Sequence, residues 1–462
     1  MPAALPDSTA AAPVESTEAL AVPTPRRDPF AKLKKLVNPP RIVGLDVARA
    51  LAILGMMAAH MGVAPELVWA DPSTWGGICH GAPAILFAFL AGISFALMSG
   101  GQRMPAAEEL PTIRLKLLVR AAVIFAIGVL LEMLGTWVAV ILPSFAVFYG
   151  ALLPTLNWKP RKLAGWAVGI ALVGPALSSI LGNFSLQTGG AGLSLAIFGL
   201  YSLTTWLPMM MLGLAVGRLG VSRARVQGVM IGAGAASMAV SLGIAAVAMA
   251  ILGPLGSGSS PLGGSSLDAS DSILSSGSGS DPNSWFTKYC AMSPDERAAA
   301  FASSGGTVPN DSRANGPGVT DGWAGMIEQF PPDVVSGEAM LRFLDIAPHS
   351  GGTLEMLHLG GFAAIVTGLC LLVGSRLRWS MVPLSALGSM PLTSYSIHVL
   401  VIWVIAGPMG FVQDNLIYAV TAFSLMIACL LWAMWRGQGP LERLTATLAR
   451  KAAGVAASRP AH

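Results

Sequence analysis

The sequence predicts an all-α, polytopic membrane protein with about ten transmembrane helices and both termini cytoplasmic. Three observations lead there. Of 462 residues, 53% are hydrophobic and only 11% charged, against roughly a quarter charged in a soluble domain. Apolar runs of about 20 residues, the length that crosses a hydrocarbon core, recur along the chain. Lysine and arginine fall in the polar gaps between these runs in an alternating pattern. A water-soluble enzyme is excluded. Nucleic-acid binding is excluded too, because the net charge of +4 comes with no dense basic patch or cluster of stacking aromatics.

Residues 1–40 are rich in Ala, Pro and Thr and carry Arg26, Arg27, Lys32, Lys34 and Lys35, with no apolar core long enough for a cleavable signal. They read as a disordered, basic cytoplasmic tail. The membrane core of 41–252 holds seven apolar spans, at 44–63, 81–99, 115–134, 137–155, 163–182, 202–219 and 227–252. A loop at 253–353 follows outside the membrane. Its Gly/Ser-rich start (GSGSSPLGGSS) cannot bury a core, whereas the stretch from Trp285 onward has enough apolar residues to form a small cap. Three more spans, at 354–374, 385–407 and 416–435, fill 354–435, and 436–462 is a cytoplasmic C-terminal tail.

With an inner N-terminus, 22 of the 28 Lys and Arg residues lie in inner segments, and Arg49 and Arg120 sit inside spans near their inner ends. Four cysteines are too few for a disulfide framework, and no HxxxH or CxxC spacing is present, so no metal is expected.

Ionisable residues within spans carry the functional signal, since each one costs about 2.5–3.5 kcal/mol at a helix centre. Asp46 and Arg49 lie one turn apart at the inner end of the first span, where they can pair on one face. As an interfacial ion pair they serve structure as readily as function. His60 comes fourteen residues after Asp46, about 21 Å further along the helix, which puts it in the outer third. His80, His349, His358 and His398 also map to the outer half, so five of the six histidines gather on one side. Glu132 and Glu355, the latter one turn from His358, are carboxylates that can orient an imidazole and set its basicity. Taken singly, any of these histidines is more readily a satisfied packing or interfacial residue than a catalyst.

The stretch RIVGLDVARALAILGMMAAH (41–60) resembles the opening helix of transmembrane acyltransferases and, with its histidine fourteen residues after the aspartate, is similar to the acyltransferase-3 group. WGGICHGAPAILFAFLAGISFALMSG, LYSLTTWLPMMMLGLAVGRL, PHSGGTLEML, LGSMPLTSYSIHVL and GQGPLERL resemble, in order, motifs of the heparan-α-glucosaminide N-acetyltransferase-like proteins and their YeiB-type bacterial relatives. Together they cover about 350 residues.

The resemblance implies an enzyme that takes an acyl group, commonly acetyl, from acetyl-CoA or another acyl-CoA in the cytoplasm and delivers it to a glycan or glycolipid on the other side. It also implies a plasma-membrane location in a bacterial cell envelope. The lysosomal relatives place a histidine in a segment like WADPSTWGG, where this chain has Asp71 and no histidine. In the acyltransferase-3 group the first-helix histidine carries the role, so that resemblance implies His60 as the base, with His80 as the alternative and His398, His358, His349, Glu355 and Glu132 as the remaining polar residues of the site. Arg49, held by Asp46, and Arg120 are the expected contacts for CoA phosphates on the basic face. Thr393, Ser394 and Tyr395 are candidates to stabilise an oxyanion. The expected partners are acyl-CoA, the glycan or glycolipid and the bilayer, with a second copy of the chain as a candidate. The rival class is a transporter or lipid flippase, which would favour inverted repeats and matching broken helices. No internal repeat is evident, since DVARALAILG has no counterpart in the second half.

Overall fold

The computed structural model describes residues 34, 38, 41–63, 65, 72–183, 201–252, 344, 346 and 350–454. These form twelve α-helices and no strand. The helices are α1 (Val43–Met61), α2 (Ala82–Met98), α3 (Leu110–Glu132), α4 (Leu142–Leu152), α5 (Pro160–Asn183), α6 (Leu203–Leu219), α7 (Ala224–Leu252), α8 (Thr353–Arg376), α9 (Val382–Gly388), α10 (Pro391–Ala406), α11 (Asn415–Trp435) and α12 (Pro440–Ala452). Each of the ten apolar segments of the sequence falls on a helix. The tail at 1–33, most of the 253–353 loop, Asp71 and His349 lie outside the described residues.

Proline in the first turn starts α2, α3, α4, α9, α10 and α12, where its missing N–H leaves no bond unmade. Among the described residues, α1, α7, α8 and α11 are each long and apolar enough to cross a bilayer. Two bent pairs bring the number to as many as six: a 3-10 turn (Pro72–Cys79) joined to α2 at 44°, and α9 joined to α10 at 83°.

Between apolar helices in lipid, close backbone approach replaces the hydrophobic effect as the packing force. Gly92 of α2 and Gly213 of α6 each lie so near the other helix that a Cβ would strike its backbone. The same holds where Gly388 of α9 rests on the backbone carbonyl of Asp46 in α1. Helices α1, α2 and α8 form the interior, while α5, α7 and α11 turn apolar side chains such as Val173, Val240 and Phe423 outward.

The two ends of the bundle are each tied together. At the end holding the start of α1, the buried Arg218 of α6 donates to the carbonyls of Ser99, Gly101, Arg103 and Leu156 and to Ser99 Oγ at 2.9–3.3 Å, joining two loops to α6. At the opposite end, Met409 N–H donates to Gly135 O (2.7 Å), Asp414 N–H to Met61 O (2.8 Å) and Val63 N–H to the Asn415 side chain (2.8 Å). The predicted tail contains a docked helix: α12 packs against α3 and α10.

Candidate functional site

At the end where α1 begins, Asp46 is buried between two guanidiniums, accepting from Arg41 Nε at 2.7 Å and Arg49 Nη1 at 2.6 Å. The expected Asp46–Arg49 pair is therefore formed. Arg49 Nη2 donates in addition to Ser94 Oγ of α2 at 2.9 Å. That second bond swings the guanidinium off its own helix and into a cavity of about 280 Å³.

Arg49 and Arg120 line this cavity together with apolar side chains of α2, α3 and α4, Tyr149, Ser389, Leu392 and, from the C-terminal segment, Gln438 and Glu442. Arg120 Nε is buried and has no hydrogen-bond partner among the described residues. A buried, unpaired guanidinium N–H is a standing demand for an acceptor, and the space beside it has room for one. The Glu442 carboxylate does not answer it. It accepts from Leu392 N–H (2.7 Å), Thr393 N–H (3.0 Å) and Thr393 Oγ (2.6 Å), so it closes the first turn of α10.

Further along α10, six residues and about 9 Å beyond Leu392, stands His398, fully buried. Its Nε2 lies 3.2 Å from Nδ1 of half-buried His60, with the two rings within 10° of parallel. One nitrogen of that contact donates and the other accepts. His398 Nδ1 is buried and has no hydrogen-bond partner among the described residues. In the tautomer with the proton on His398 Nδ1, Nε2 is the acceptor, His60 Nδ1 is the donor and the His60 lone pair falls on Nε2.

Tyr395 stands between the cavity and the pair. Its ring meets His398 edge-on at 4.8 Å, and its hydroxyl accepts the N–H of Ile141 at 3.2 Å, next to cavity-lining Leu142.

The other sequence-predicted residues sit elsewhere. His358 of α8 pairs through Nδ1 with Ser241 Oγ of α7 at 3.3 Å. Glu355 accepts from Gly351 N–H (2.8 Å) and Ser350 Oγ (3.2 Å), closing the first turn of α8. His80 is exposed before α2, and Glu132 is exposed at the last residue of α3. Of the candidate hydroxyls, Ser394 Oγ lies 3.4 Å from Leu387 O and Thr393 Oγ is held by Glu442. Sequence reasoning missed Glu442 and Tyr149 as cavity walls. Glu442 lies in the GQGPLERL motif, but nothing in the sequence brings that segment against α10. Among the described residues no group of three or more metal-ligating side chains is found.

Long apolar helices around a buried polar seam define an integral membrane protein. Residues 41–249, from the start of α1 through most of α7, match the model of the family described as heparan-alpha-glucosaminide N-acetyltransferase, catalytic, so this part of the chain is similar to that family. No curated protein and no solved structure matches the chain.

Proposed function

We propose that the protein is a membrane acyltransferase that moves an acyl group, acetyl by the family's description, from acyl-CoA to a glycan or glycolipid on the opposite side of the bilayer. In this account ten segments cross the membrane, the basic face holding Arg49 and both termini is cytoplasmic, and His60 lies toward the outer leaflet. The observation that carries the proposal is the His60–His398 pair, set one to two helical turns of α10 beyond a cavity lined by Arg49 and Arg120.

A cavity of about 280 Å³ is too small for a whole nucleotide thioester. It suits the narrow thioester end, with phosphate groups of the donor meeting the two guanidiniums and the inner loop cations. His398, whose Nε2 is engaged by His60, acts as a positioning residue that fixes the tautomer of His60. His60 Nε2 takes the proton of the acceptor hydroxyl or amine as the acceptor heteroatom bonds to the acyl carbon. The carbon–sulfur bond then breaks, the thiolate leaves toward the cytoplasmic face and takes a proton from water there, and His60 returns the proton it accepted to water on its own side. Tyr395 is the candidate oxyanion donor. Because its oxygen already accepts from Ile141 N–H, its own proton is available to the carbonyl oxygen.

The test uses the purified full-length protein in detergent with acetyl-labelled acetyl-CoA and an envelope glycan extract. Label passing to the glycan, with matching release of CoA, is expected. CoA release without label on any acceptor, or uptake of the intact donor into vesicles, contradicts the proposal and favours a carrier.

A further inference from the structure

Helix α12 has three distinct faces. Glu442, Thr445 and Ala449 are buried against the bundle, an unusually polar stripe for a docked helix. Leu444 and Leu448, one turn apart, are 44% and 38% exposed beside that contact. Arg443, Arg450 and Lys451 occupy the remaining, solvent side.

A soluble protein gains nothing from a leucine stripe next to a cationic one. A helix lying in the plane of a membrane surface does, with leucines in the acyl boundary and cations among headgroups. The residues leading into α12 have the same character. Arg436 lies 4.3 Å over the ring of Trp435, Trp432 Nε1 donates to Gln438 O at 3.1 Å, and Arg443 donates to Arg436 O at 2.8 Å. Tryptophan beside a cation is the composition of the membrane–water boundary.

We propose that α12 binds the anionic lipid headgroups of the leaflet on its side, and that this binding holds Glu442 against the first turn of α10, so that lipid charge sets the stability of the cavity wall. The link is geometric. Glu442 is on the buried face of α12, accepts the buried Leu392 and Thr393 N–H groups at the start of α10, and lines the same cavity as Arg49 and Arg120. Loosening α12 from the surface removes the anchor that keeps this carboxylate in place. The inference stands on the membrane location of the chain and does not require acyl transfer.

Hydrogen exchange on the full-length protein in lipid nanodiscs tests it. Discs of phosphatidylcholine alone, discs that also contain phosphatidylglycerol, and phosphatidylcholine discs with added inorganic phosphate form the three arms. Slower exchange at 440–452 and at 391–395 is expected only with phosphatidylglycerol, by roughly fivefold for each cation engaged. The double variant R450Q/K451Q should lose most of that slowing. Glu442→Ala should keep it at 440–452 and lose it at 391–395. Equal rates with and without phosphatidylglycerol, slowing by free phosphate alone, or slowing that survives R450Q/K451Q would overturn the lipid site. Protection of 391–395 that persists in Glu442→Ala would overturn the coupling.

Discussion

Tyr395 meets His398 edge-to-face at 4.8 Å while its hydroxyl is bonded to the backbone of Ile141 at 3.2 Å, so one side chain touches both the histidine pair and the wall next to the cavity. Tyr395→Phe keeps the ring contact and removes the proton. Turnover is expected to fall by about 100-fold or more with little change in donor KM, the loss typical of one oxyanion donor. Leaving Ile141 N–H unsatisfied should also lower stability by about 1–3 kcal/mol. Steady-state kinetics beside a thermal melt separates the two, and unchanged turnover would remove Tyr395 from the chemistry.

Arg120 presents a buried, unpaired N–H to the cavity, whereas Arg49 is already engaged by Asp46 and Ser94. Arg120→Gln should raise the KM for acyl-CoA by roughly tenfold, the value of one charge-assisted hydrogen bond, and leave kcat nearly unchanged. Arg49→Gln should do the same and also destabilise, because it leaves buried Asp46 with Arg41 as its remaining partner among these cations. A donor titration at two salt concentrations checks both, since the wild-type KM should rise with salt more steeply than that of either variant.

Gly388 lies against the carbonyl of Asp46, so Gly388→Ala must push α9 away from α1. The expected loss is about 1–3 kcal/mol of stability, as for an overpacked core. Because Asp46 orients Arg49, donor KM should rise as well. A lower melting temperature with unchanged KM would mean that the displacement is absorbed before it reaches Arg49.

The helical class of the chain and the positions of its apolar segments were legible in the sequence, because Pro, Gly and charge interrupt apolar runs of fixed length. The Asp46–Arg49 pair was legible too, since i,i+3 spacing places both on one face of a helix. What was not legible is which faces meet. Lipid is as apolar as the core, so a membrane helix carries little of the amphipathic pattern that tells inside from outside. His60 and His398 are 338 residues apart, and nothing in their flanks distinguishes that pairing from His60 with His80 or His358. Arg218 reads as one more loop cation, yet it is buried and binds four backbone carbonyls. Glu355 reads as a carboxylate of the site, yet it closes the first turn of a helix, as does Glu442, which the sequence does not single out.

The most direct measurement of the central claim is a double-mutant cycle on the two imidazoles, read as glycan-dependent CoA release by full-length protein at matched expression and folding. His60→Ala is expected to lose at least about 100-fold in kcat, the low end for removal of a general base. His398→Ala should lose a large part of the same factor, and the double variant should be no slower than His60→Ala alone, because the two rings act as one unit. Full activity in His60→Ala, or losses that multiply in the double variant, would contradict the account.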